Sequence, residues 1–179
     1  MFKIETDRLI LRQFSLQDIG QLYQFYKNPE VMRYVGKGII TRAETEMKIL
    51  TMISHWQKYN FGMWAVVDKS DKKMIGRCGL CFLDKTQEIE LGYILDQAHW
   101  HQGLATEASK ASLKYGFEQL KLEKIVAITI PENIASRRVM EKVGMKYEKS
   151  ANYYNTNVVY YTISSTEYQP DNSLYILNT

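Results

Sequence analysis

The amino-acid sequence predicts one α/β domain whose central sheet is mixed and mostly antiparallel. Two observations lead to this fold class. Three apolar segments in the middle of the chain are joined by short polar turns, which is typical of an antiparallel meander. The last of these segments is followed by a helical pattern and then by the apolar stretch Lys124–Ile130, so the strands on either side of that helix should run parallel.

The first third of the chain is predicted to be one strand followed by helices. Apolar and polar residues alternate from Ile4 to Phe14, as expected for a strand with one buried face. The next segment, Ser15 to about Tyr26, opens with a capping-box spacing to Asp18 and is predicted to be helical. A short helix around Val31 and a longer one over Thr41–Lys58 should follow.

The remaining two thirds are predicted to be mainly strands. Asn133 is a good N-cap for a helix that ends near Val143, with Gly144 as its C′ residue. The other strands are expected at Met63–Val67, Met74–Leu83, Glu88–Leu95, Met145–Ser150 and Val158–Ser164.

Composition limits the classes of function. The 179 residues are expected to form a single domain, 1–179, and the 45% hydrophobic and 24% charged content is that of an ordinary globular protein. The formal net charge of +3 is spread along the chain, so no nucleic-acid partner is expected. No segment approaches the roughly 20 apolar residues of a membrane span, and the first residues lack the apolar region of a signal peptide. We therefore expect a cytoplasmic protein with no membrane partner.

Cys78 and Cys81 form a CGLC sequence, a spacing that also occurs in redox and zinc sites. Both lie in a predicted strand, where a separation of three residues directs the side chains to opposite faces. A structural zinc site needs four ligands, and the only histidines are His55, His99 and His101. The two cysteines are therefore interpreted as structural, and no metal is expected.

The stretch from Leu91 to Phe117 joins an apolar segment, a short glycine-containing loop and a helix. The first N–H groups of a helix have no intrahelical acceptor and point in one direction, so such a loop can hold a phosphate or pyrophosphate group. Gly103 and Ala105 let ligand oxygens approach the main chain, and Thr106 opens the helix. On this pattern alone, an ordinary strand-to-helix loop is the alternative.

The order of the elements, together with five sequence segments, resembles the GNAT superfamily of N-acetyltransferases. Within it, the most similar branch is that of the ribosomal-protein N-terminal acetyltransferases. The segments are ETDRLILRQF, NPEVMRYV, ELGY, GLATEA and NIASRRVMEKVGM, and the resemblance covers nearly the whole chain. It implies a GNAT-like sheet with a splayed parallel strand pair, helices on both faces, and acetyl-CoA as co-substrate.

The resemblance also implies which residues hold acetyl-CoA. The family's pyrophosphate loop, Gln/Arg-x-x-Gly-x-Gly/Ala, corresponds to residues 100–105, although Trp100 replaces the usual polar first residue. The main chain of Ile94 and Leu95 would contact the pantetheine arm, and Asn133 would meet it from the other side unless it only caps its helix. The expected cofactor-binding residues are Ile94, Leu95, His101, Gln102, Gly103, Leu104, Ala105, Thr106, Asn133 and Arg138.

Acetyl transfer to an amine requires a base, because only the neutral amine attacks the thioester. Glu88 and Glu90 share one strand face, and Glu90 has about the spacing before the pyrophosphate loop at which several family members carry a catalytic glutamate. Many relatives place a tyrosine as acid where this chain has Met140, and Ser136 is the substitute that the branch implies. An ion-paired strand residue and a plain helix serine are the alternatives for Glu90 and Ser136.

The expected activity is therefore transfer of the acetyl group of acetyl-CoA to a primary amine, by direct attack in a ternary complex. A protein N-terminus and a small-molecule amine are both candidate acceptors. Acceptor choice is expected to depend on the helices before Lys58 and on the tail near Tyr153–Asn157. A non-catalytic acyl-CoA-binding sensor or scaffold is the alternative from another class, and a homodimer is left open.

Overall fold

The computed structural model describes residues 3–170 and 175–178, whose strands form one nine-stranded sheet. In chain order the strands are β1 (Lys3–Glu5), β2 (Leu9–Arg12), β3 (Met63–Asp68), β4 (Met74–Phe82), β5 (Ile89–Leu95), β6 (Lys124–Thr129), β7 (Lys146–Tyr153), β8 (Thr156–Ser164) and β9 (Ile176–Asn178). Across the sheet the order is β7-β8-β6-β5-β4-β3-β2-β1-β9. Neighbouring strands are antiparallel except β5 and β6, which are parallel. The predicted mixed, mostly antiparallel sheet is confirmed.

Helices cover both faces of this sheet. Within the described residues the α-helices are α1 (Ile19–Tyr26), α2 (Pro29–Met32), α3 (Arg42–Tyr59), α4 (Leu104–Lys114) and α5 (Ile134–Lys142). Ala65 and Val67 of β3 pack with apolar residues of α1, α2 and α3, whereas Val66 packs with those of α4 and α5. Because successive side chains of a strand point to opposite faces, the two sets of helices lie on opposite sides. In the part of the chain that the structure describes, no helix is long and apolar enough to cross a membrane.

The N-terminal segment is a hairpin, so the prediction of one continuous strand over Ile4–Phe14 is wrong. The chain reverses between β1 and β2, where the Thr6 N–H donates to the Leu9 carbonyl at 3.0 Å. Glu107 of α4 accepts hydrogen bonds from the Thr6 hydroxyl at 2.6 Å and from the Arg8 N–H at 2.9 Å. This turn is stabilised by a residue far away in the sequence, and local alternation does not reveal it. β9, which pairs with β1, is too short to show a periodic pattern.

The polar segment between the last two predicted strands is mostly strand. β7 extends to Tyr153 and β8 begins at Thr156, so the connection consists of Tyr154 and Asn155 alone. Both residues have positive φ, 52° and 56°, as two-residue hairpin turns of type I′ require. Tyr154 is tied to Asp84 by an N–H bond to its carboxylate at 3.0 Å. The turn therefore places Tyr154 next to β5, where its hydroxyl donates to the Glu90 carboxylate at 3.3 Å.

The parallel strands β5 and β6 separate soon after they meet. They are registered at one pair of residues, Glu90 and Val126, although β5 continues to Leu95. Main-chain groups of β5 beyond Glu90 therefore have no strand partner on that side, and such groups need another partner. The gap opens next to the loop that begins α4, and the predicted splayed pair is confirmed.

Candidate active site

Helix α4 begins at a glycine that supplies no side-chain cap. Gly103 is the N-cap residue with φ of 77°, and His101 before it also has a positive φ of 59°. The N–H groups of Leu104, Ala105 and Thr106 occupy the first turn, where no intrahelical acceptor exists. Together with the positive end of the helix dipole, these donors favour an anion at this position.

Arg8 lies beside this loop and is a residue that the sequence analysis does not single out. Its guanidinium donates to the Gln102 carbonyl at 2.8 Å and pairs with the Glu107 carboxylate at 2.7 Å. Arg8 Nη2 lies 3.6 Å from the position that a Cβ on Gly103 would occupy. The β1–β2 hairpin therefore holds the loop and adds a positive charge next to it.

Trp100, which departs from the family's polar residue, has a defined structural role. Its indole N–H donates to the Leu95 carbonyl at 2.8 Å, so it joins the loop to the end of β5. The Gln102 side chain donates to the Ala98 carbonyl at 3.0 Å, within the same loop. Beyond the loop, a cavity of about 710 Å³ extends along α4, and its lining includes Gly103, Thr106, Lys110 and Lys142.

The ladder between β4 and β5 determines which main-chain groups face the gap. Asp96 donates its N–H to the Ile75 carbonyl at 2.7 Å, and Ile94 lies opposite Arg77 in the same register. Because hydrogen-bonded pairs alternate along antiparallel strands, the main-chain groups of Ile94 point toward β4. Those of Tyr93 and Leu95 point toward the gap, where the Leu95 carbonyl already accepts from Trp100. The register therefore favours Tyr93 and Leu95 over Ile94 as ligands for an amide-rich arm.

Glu90 and Glu88 have different surroundings. Glu90 is partly buried, and its only hydrogen-bond donor among the described side chains is the Tyr154 hydroxyl at 3.3 Å. Burial raises the pKa of Glu90 to about 7, against the opposing attraction of Arg77. For Glu88, burial is outweighed by hydrogen bonds from Tyr160 at 2.6 Å and Lys124 at 2.9 Å, and the pKa is lowered. Of the two carboxylates, Glu90 has the properties of a proton acceptor near neutral pH.

Ser136 contacts Tyr93, a second residue that the sequence analysis does not assign to the site. The Tyr93 hydroxyl lies 2.8 Å from Ser136 Oγ and 2.8 Å from the Ser136 main-chain oxygen. Burial raises the pKa of Tyr93 above its ordinary value, so this hydroxyl keeps its proton. The signal for Tyr93 is its place in ELGY, three residues after Glu90 and hence on the opposite face.

The other predicted residues of α5 have simpler roles in this structure. Asn133 Oδ1 accepts from the Ser136 N–H at 3.2 Å, which is the helix-cap role. Arg138 is exposed on α5. Met140 is 1% exposed in the apolar core, so no acid replaces the family tyrosine at that position.

Glu90 and the Ser136–Tyr93 pair lie on opposite faces of β5 beside the same gap. Arg77, Gly92 and Glu90 share the face covered by α1 to α3, while Tyr93 packs with the apolar core beneath α4 and α5. A thioester placed in the gap would have a carboxylate on one side and a hydroxyl donor on the other. This arrangement suits transfer between two molecules that approach from different sides of the sheet.

The two cysteines are not a redox pair. Cys78 and Cys81 are free thiols on opposite faces of β4, and Cys78 contacts the hydroxyls of Ser109 and Ser112. Burial raises the pKa of Cys78 to about 11 and that of Cys81 to about 12, which disfavours the thiolate. Among the described residues no group of His, Cys, Asp and Glu side chains has the arrangement of a metal site.

Comparison with known proteins agrees with this geometry. The family described as "Acetyltransferase (GNAT) domain" matches residues 8–146. The uncharacterized N-acetyltransferase YoaA of Bacillus subtilis is 33% identical over 169 residues, covering 88% of this chain and 96% of that protein. The crystal structure of a GNAT-family acetyltransferase from Bacillus anthracis has a TM-score of 0.81 at 27% identity, covering 92% of this chain and 99% of the other.

Two further structures share the fold at lower identity. The ribosomal-protein-S5-alanine acetyltransferase of Vibrio fischeri has a TM-score of 0.78 at 19% identity, with 94% of this chain and 99% of the other covered. The spermidine N-acetyltransferase of Vibrio cholerae, in complex with CoA and spermine, has a TM-score of 0.74 at 21% identity, with 89% and 97% covered. These two enzymes act on different kinds of amine, so the fold alone does not identify the acceptor.

Proposed function

The chain belongs to the GNAT family and is an acetyl-CoA-dependent N-acetyltransferase, and we propose that it acetylates a primary amine by direct attack in a ternary complex. The observation that carries this proposal is the position of Glu90 and the Ser136–Tyr93 pair on opposite faces of β5, beside the gap. A proton acceptor and a proton donor on either side of one reacting bond are what direct transfer requires.

The residues present fit acetyl-CoA, which supplies the activated acetyl group. The N–H groups of residues 103–106 would hold the pyrophosphate, with His101 and Gln102 shaping the loop and Arg8 adding charge. Main-chain groups of Tyr93 and Leu95 would hold the pantetheine arm, and Ile94 is left out because its ladder register points to β4. Contacts of Asn133 and Arg138 with the cofactor stay predictions, as does a homodimer.

Glu90 is the proposed general base. Its partial burial and pKa of about 7 leave a large fraction ionised at neutral pH while keeping it basic enough to accept a proton. The amine nitrogen forms a bond to the acetyl carbon, the carbon–sulfur bond breaks, and the proton lost by the nitrogen goes to Glu90. Arg77, on the same face, opposes the rise in pKa and keeps Glu90 from staying protonated.

Ser136 is the proposed donor to the departing sulfur. The Tyr93 hydroxyl donates its proton to the Ser136 main-chain oxygen, so the Ser136 hydroxyl donates to Tyr93 at rest and turns into the gap to give its proton to the sulfur. Ser136 regains a proton from solvent, directly or relayed through the Tyr93 hydroxyl, while Glu90 releases to solvent the proton it took from the amine. The net change is one proton moved from the amine to the thiol. Tyr93 acts through Ser136 and is a positioning residue.

The proposal has two forms, which differ in the acceptor: a protein N-terminus or a small-molecule amine. Acetylation of a protein N-terminus is the form favoured by the ribosomal-protein-like sequence segments, whereas a small-molecule amine is the form favoured by the spermidine acetyltransferase neighbour. Both forms use the same base and donor, so the chemistry does not distinguish them.

The experiment incubates the purified protein with isotopically labelled acetyl-CoA and cell extract, followed by mass spectrometry of proteins and small molecules separately. Label in an amide of a primary amine, lost in Glu90→Gln and kept in Glu123→Gln, supports the proposal, since Glu123 is an exposed carboxylate away from the gap. Release of CoA without a labelled amide, or label retained in Glu90→Gln, contradicts it.

A further inference from the structure

A second cavity lies on the Glu90 face of the sheet, away from the cofactor loop. It has a volume of about 460 Å³ and is walled by the segment between α2 and α3, the first turns of α3, and β4. Its charged lining comprises Arg77, Lys48, Lys37 and Glu44, the Tyr26 side chain also lines it, and its apolar lining includes Met32, Val35, Ile40 and Met47. This volume lies in the range of small-molecule sites.

Arg77 is the buried charge of this cavity. Its Nε is buried without a hydrogen-bond partner, and its Nη1 contacts the Met63 sulfur at 3.2 Å. Within residues 3–170 and 175–178, no carboxylate forms an ion pair with Arg77. The Tyr26 side chain hydrogen-bonds to this guanidinium and the Glu90 carboxylate attracts it, but neither forms an ion pair with it. A buried cation normally has a directly paired anion.

The rest of the lining adds positive charge. Lys37 and Glu44 pair with each other, so they cancel. Lys48 lines the same cavity and forms no ion pair within the described residues, and its pKa is lowered by desolvation and by the nearby Arg77 charge. Two cations, Lys48 and Arg77, are therefore left without a paired acid.

A glycine surface connects Arg77 to Glu90. On β5, Gly92 lies between Ile94, which is opposite Arg77, and Glu90, while Gly79 lies between Arg77 and Cys81 on β4. A methyl group on Gly92 would come within 2.9 Å of Met63 Cε and 3.9 Å of Arg77 Nη1. The Met63 methyl group and the Arg77 guanidinium thus both lie over Gly92. No side chain of β4 or β5 stands between Arg77 and Glu90, and the flexible Met63 side chain of β3 separates the cavity from Glu90. Gly92 and Glu90 are two residues apart on β5, which corresponds to about 7 Å along the strand.

We propose that this cavity binds the acceptor, and that the acceptor is a small amine which also carries a carboxylate within a few bonds of its reactive nitrogen. The inference rests on the proposed function, because it uses Glu90 as the base. The amine reaches Glu90 when the Met63 side chain moves off Gly92, and the carboxylate meets Arg77 and Lys48. A polyamine brings further positive charge to a cavity that already holds two unpaired cations, and it is disfavoured.

The test measures thiol release from acetyl-CoA with matched pairs of acceptors. Glycine, β-alanine and L-glutamate are each compared with the corresponding amine or amide that lacks the carboxylate, and spermidine and a short peptide with a free N-terminus are added. We expect kcat/KM at least ten-fold higher for the carboxylated member of at least one pair. A preference for spermidine, for the uncharged members, or for the peptide over all free amino acids overturns the inference.

Variants then test the two cations. Arg77→Gln and Lys48→Gln should each raise KM for the carboxylated acceptor at least five-fold, while the KM for acetyl-CoA stays unchanged. Lys48 is exposed, so its replacement tests the charge even where Arg77→Gln fails to fold. Arg33→Gln, an exposed arginine paired with Glu30 on α2, is the matched control and should leave both KM values unchanged. Unchanged acceptor KM in Lys48→Gln contradicts the inference.

Failure of the proposed function is distinguished from failure of this inference by whether any amine supports thiol release. If no amine in the panel releases thiol, the proposed function is rejected for these acceptors, and binding is measured directly by calorimetry with CoA-saturated protein and L-glutamate. Binding that is lost in Lys48→Gln supports the anion site by itself, and absence of binding overturns it.

Discussion

The Tyr93 hydroxyl lies 2.8 Å from both the main-chain oxygen and the Oγ of Ser136, which joins β5 to the first turn of α5. The two residues come from elements on either side of the gap between the parallel strands. Their contact therefore fixes the serine hydroxyl relative to the strand whose main chain faces the gap. This relationship distinguishes a donor held in place from a serine that merely opens a helix.

Ser136→Ala is expected to lower kcat by about ten-fold or more, with KM for acetyl-CoA changed by less than about two-fold, because a proton donor acts mainly in the transition state. Tyr93→Phe should give a smaller loss of kcat, since Ser136 keeps its hydroxyl but loses its orientation. Steady-state kinetics on both variants, with Ser70→Ala in an exposed turn as control, measures the difference. Equal kcat in Ser136→Ala and the parent would remove this serine from the mechanism.

The activity should rise with pH through about 7, since only the ionised form of Glu90 accepts a proton and burial raises its pKa to about 7. The ratio of parent to Glu90→Gln activity cancels the titration of the amine itself. We expect this ratio to increase from pH 6 to pH 8 and then to level off. A ratio that is independent of pH would exclude Glu90 as the base.

The same raised pKa predicts a pH-dependent gain in stability for Glu90→Gln. Between the ordinary value of 4.5 and about 7, the folded chain holds a proton on Glu90 more tightly than the unfolded chain does. Stability contributed by this group therefore falls as pH rises through that window. The Tm of Glu90→Gln minus that of the parent should increase from pH 5 to pH 8, and a difference that does not increase over this range contradicts the raised pKa.

Gly103→Val should weaken acetyl-CoA binding through backbone strain more than through crowding. The residue has φ of 77°, which β-branched residues rarely adopt, while the nearest atom to an added Cβ is Arg8 Nη2 at 3.6 Å. Calorimetry is expected to show a loss of affinity of about ten-fold or more. Gly20→Val, at a helical glycine with open space around it, controls for the change in residue type. Unchanged affinity in Gly103→Val would count against the loop as the pyrophosphate site.

Arg8→Gln should also reduce acetyl-CoA affinity, with a stronger effect at low salt. Its side chain is 50% exposed, so its charge is partly screened by solvent. Glu107→Gln removes the carboxylate that pairs with Arg8, so it should loosen the loop while the positive charge of Arg8 remains. A larger loss of affinity in Arg8→Gln than in Glu107→Gln indicates direct attraction to the cofactor, and the opposite order indicates that the contact mainly holds the loop.

The features that local patterns determine were predictable from the sequence. The helix predicted over Thr41–Lys58, the Asn133 cap, the meander and the crossover depend on residues close together in the chain. The N-terminal hairpin depends instead on Glu107, and the role of Arg8 depends on the same carboxylate. Such contacts leave no periodic signal.

The site shows the same division. Gly103 and Glu90 are proposed from their types and spacing, whereas Tyr93 enters the proposed site only because its hydroxyl contacts Ser136 of α5. The preference for Tyr93 and Leu95 over Ile94 depends on the ladder register, since neighbouring strand residues differ in which way their peptide groups point. The charge of the proposed acceptor cavity depends on the fold, because Lys48 and Arg77 lie on different elements.

The hydrogen bonds from Thr6 and Arg8 to Glu107 have a consequence for any shortened form of the chain. Deletion of the first eight residues would leave Glu90, Tyr93 and Ser136 in place, yet it would release the entrance of α4 from its anchor. Such a truncated enzyme should retain its reaction chemistry at saturating coenzyme while losing the ability to capture it at low concentration. The N-terminal hairpin is thus expected to govern coenzyme capture although it lies far from α4 in the sequence.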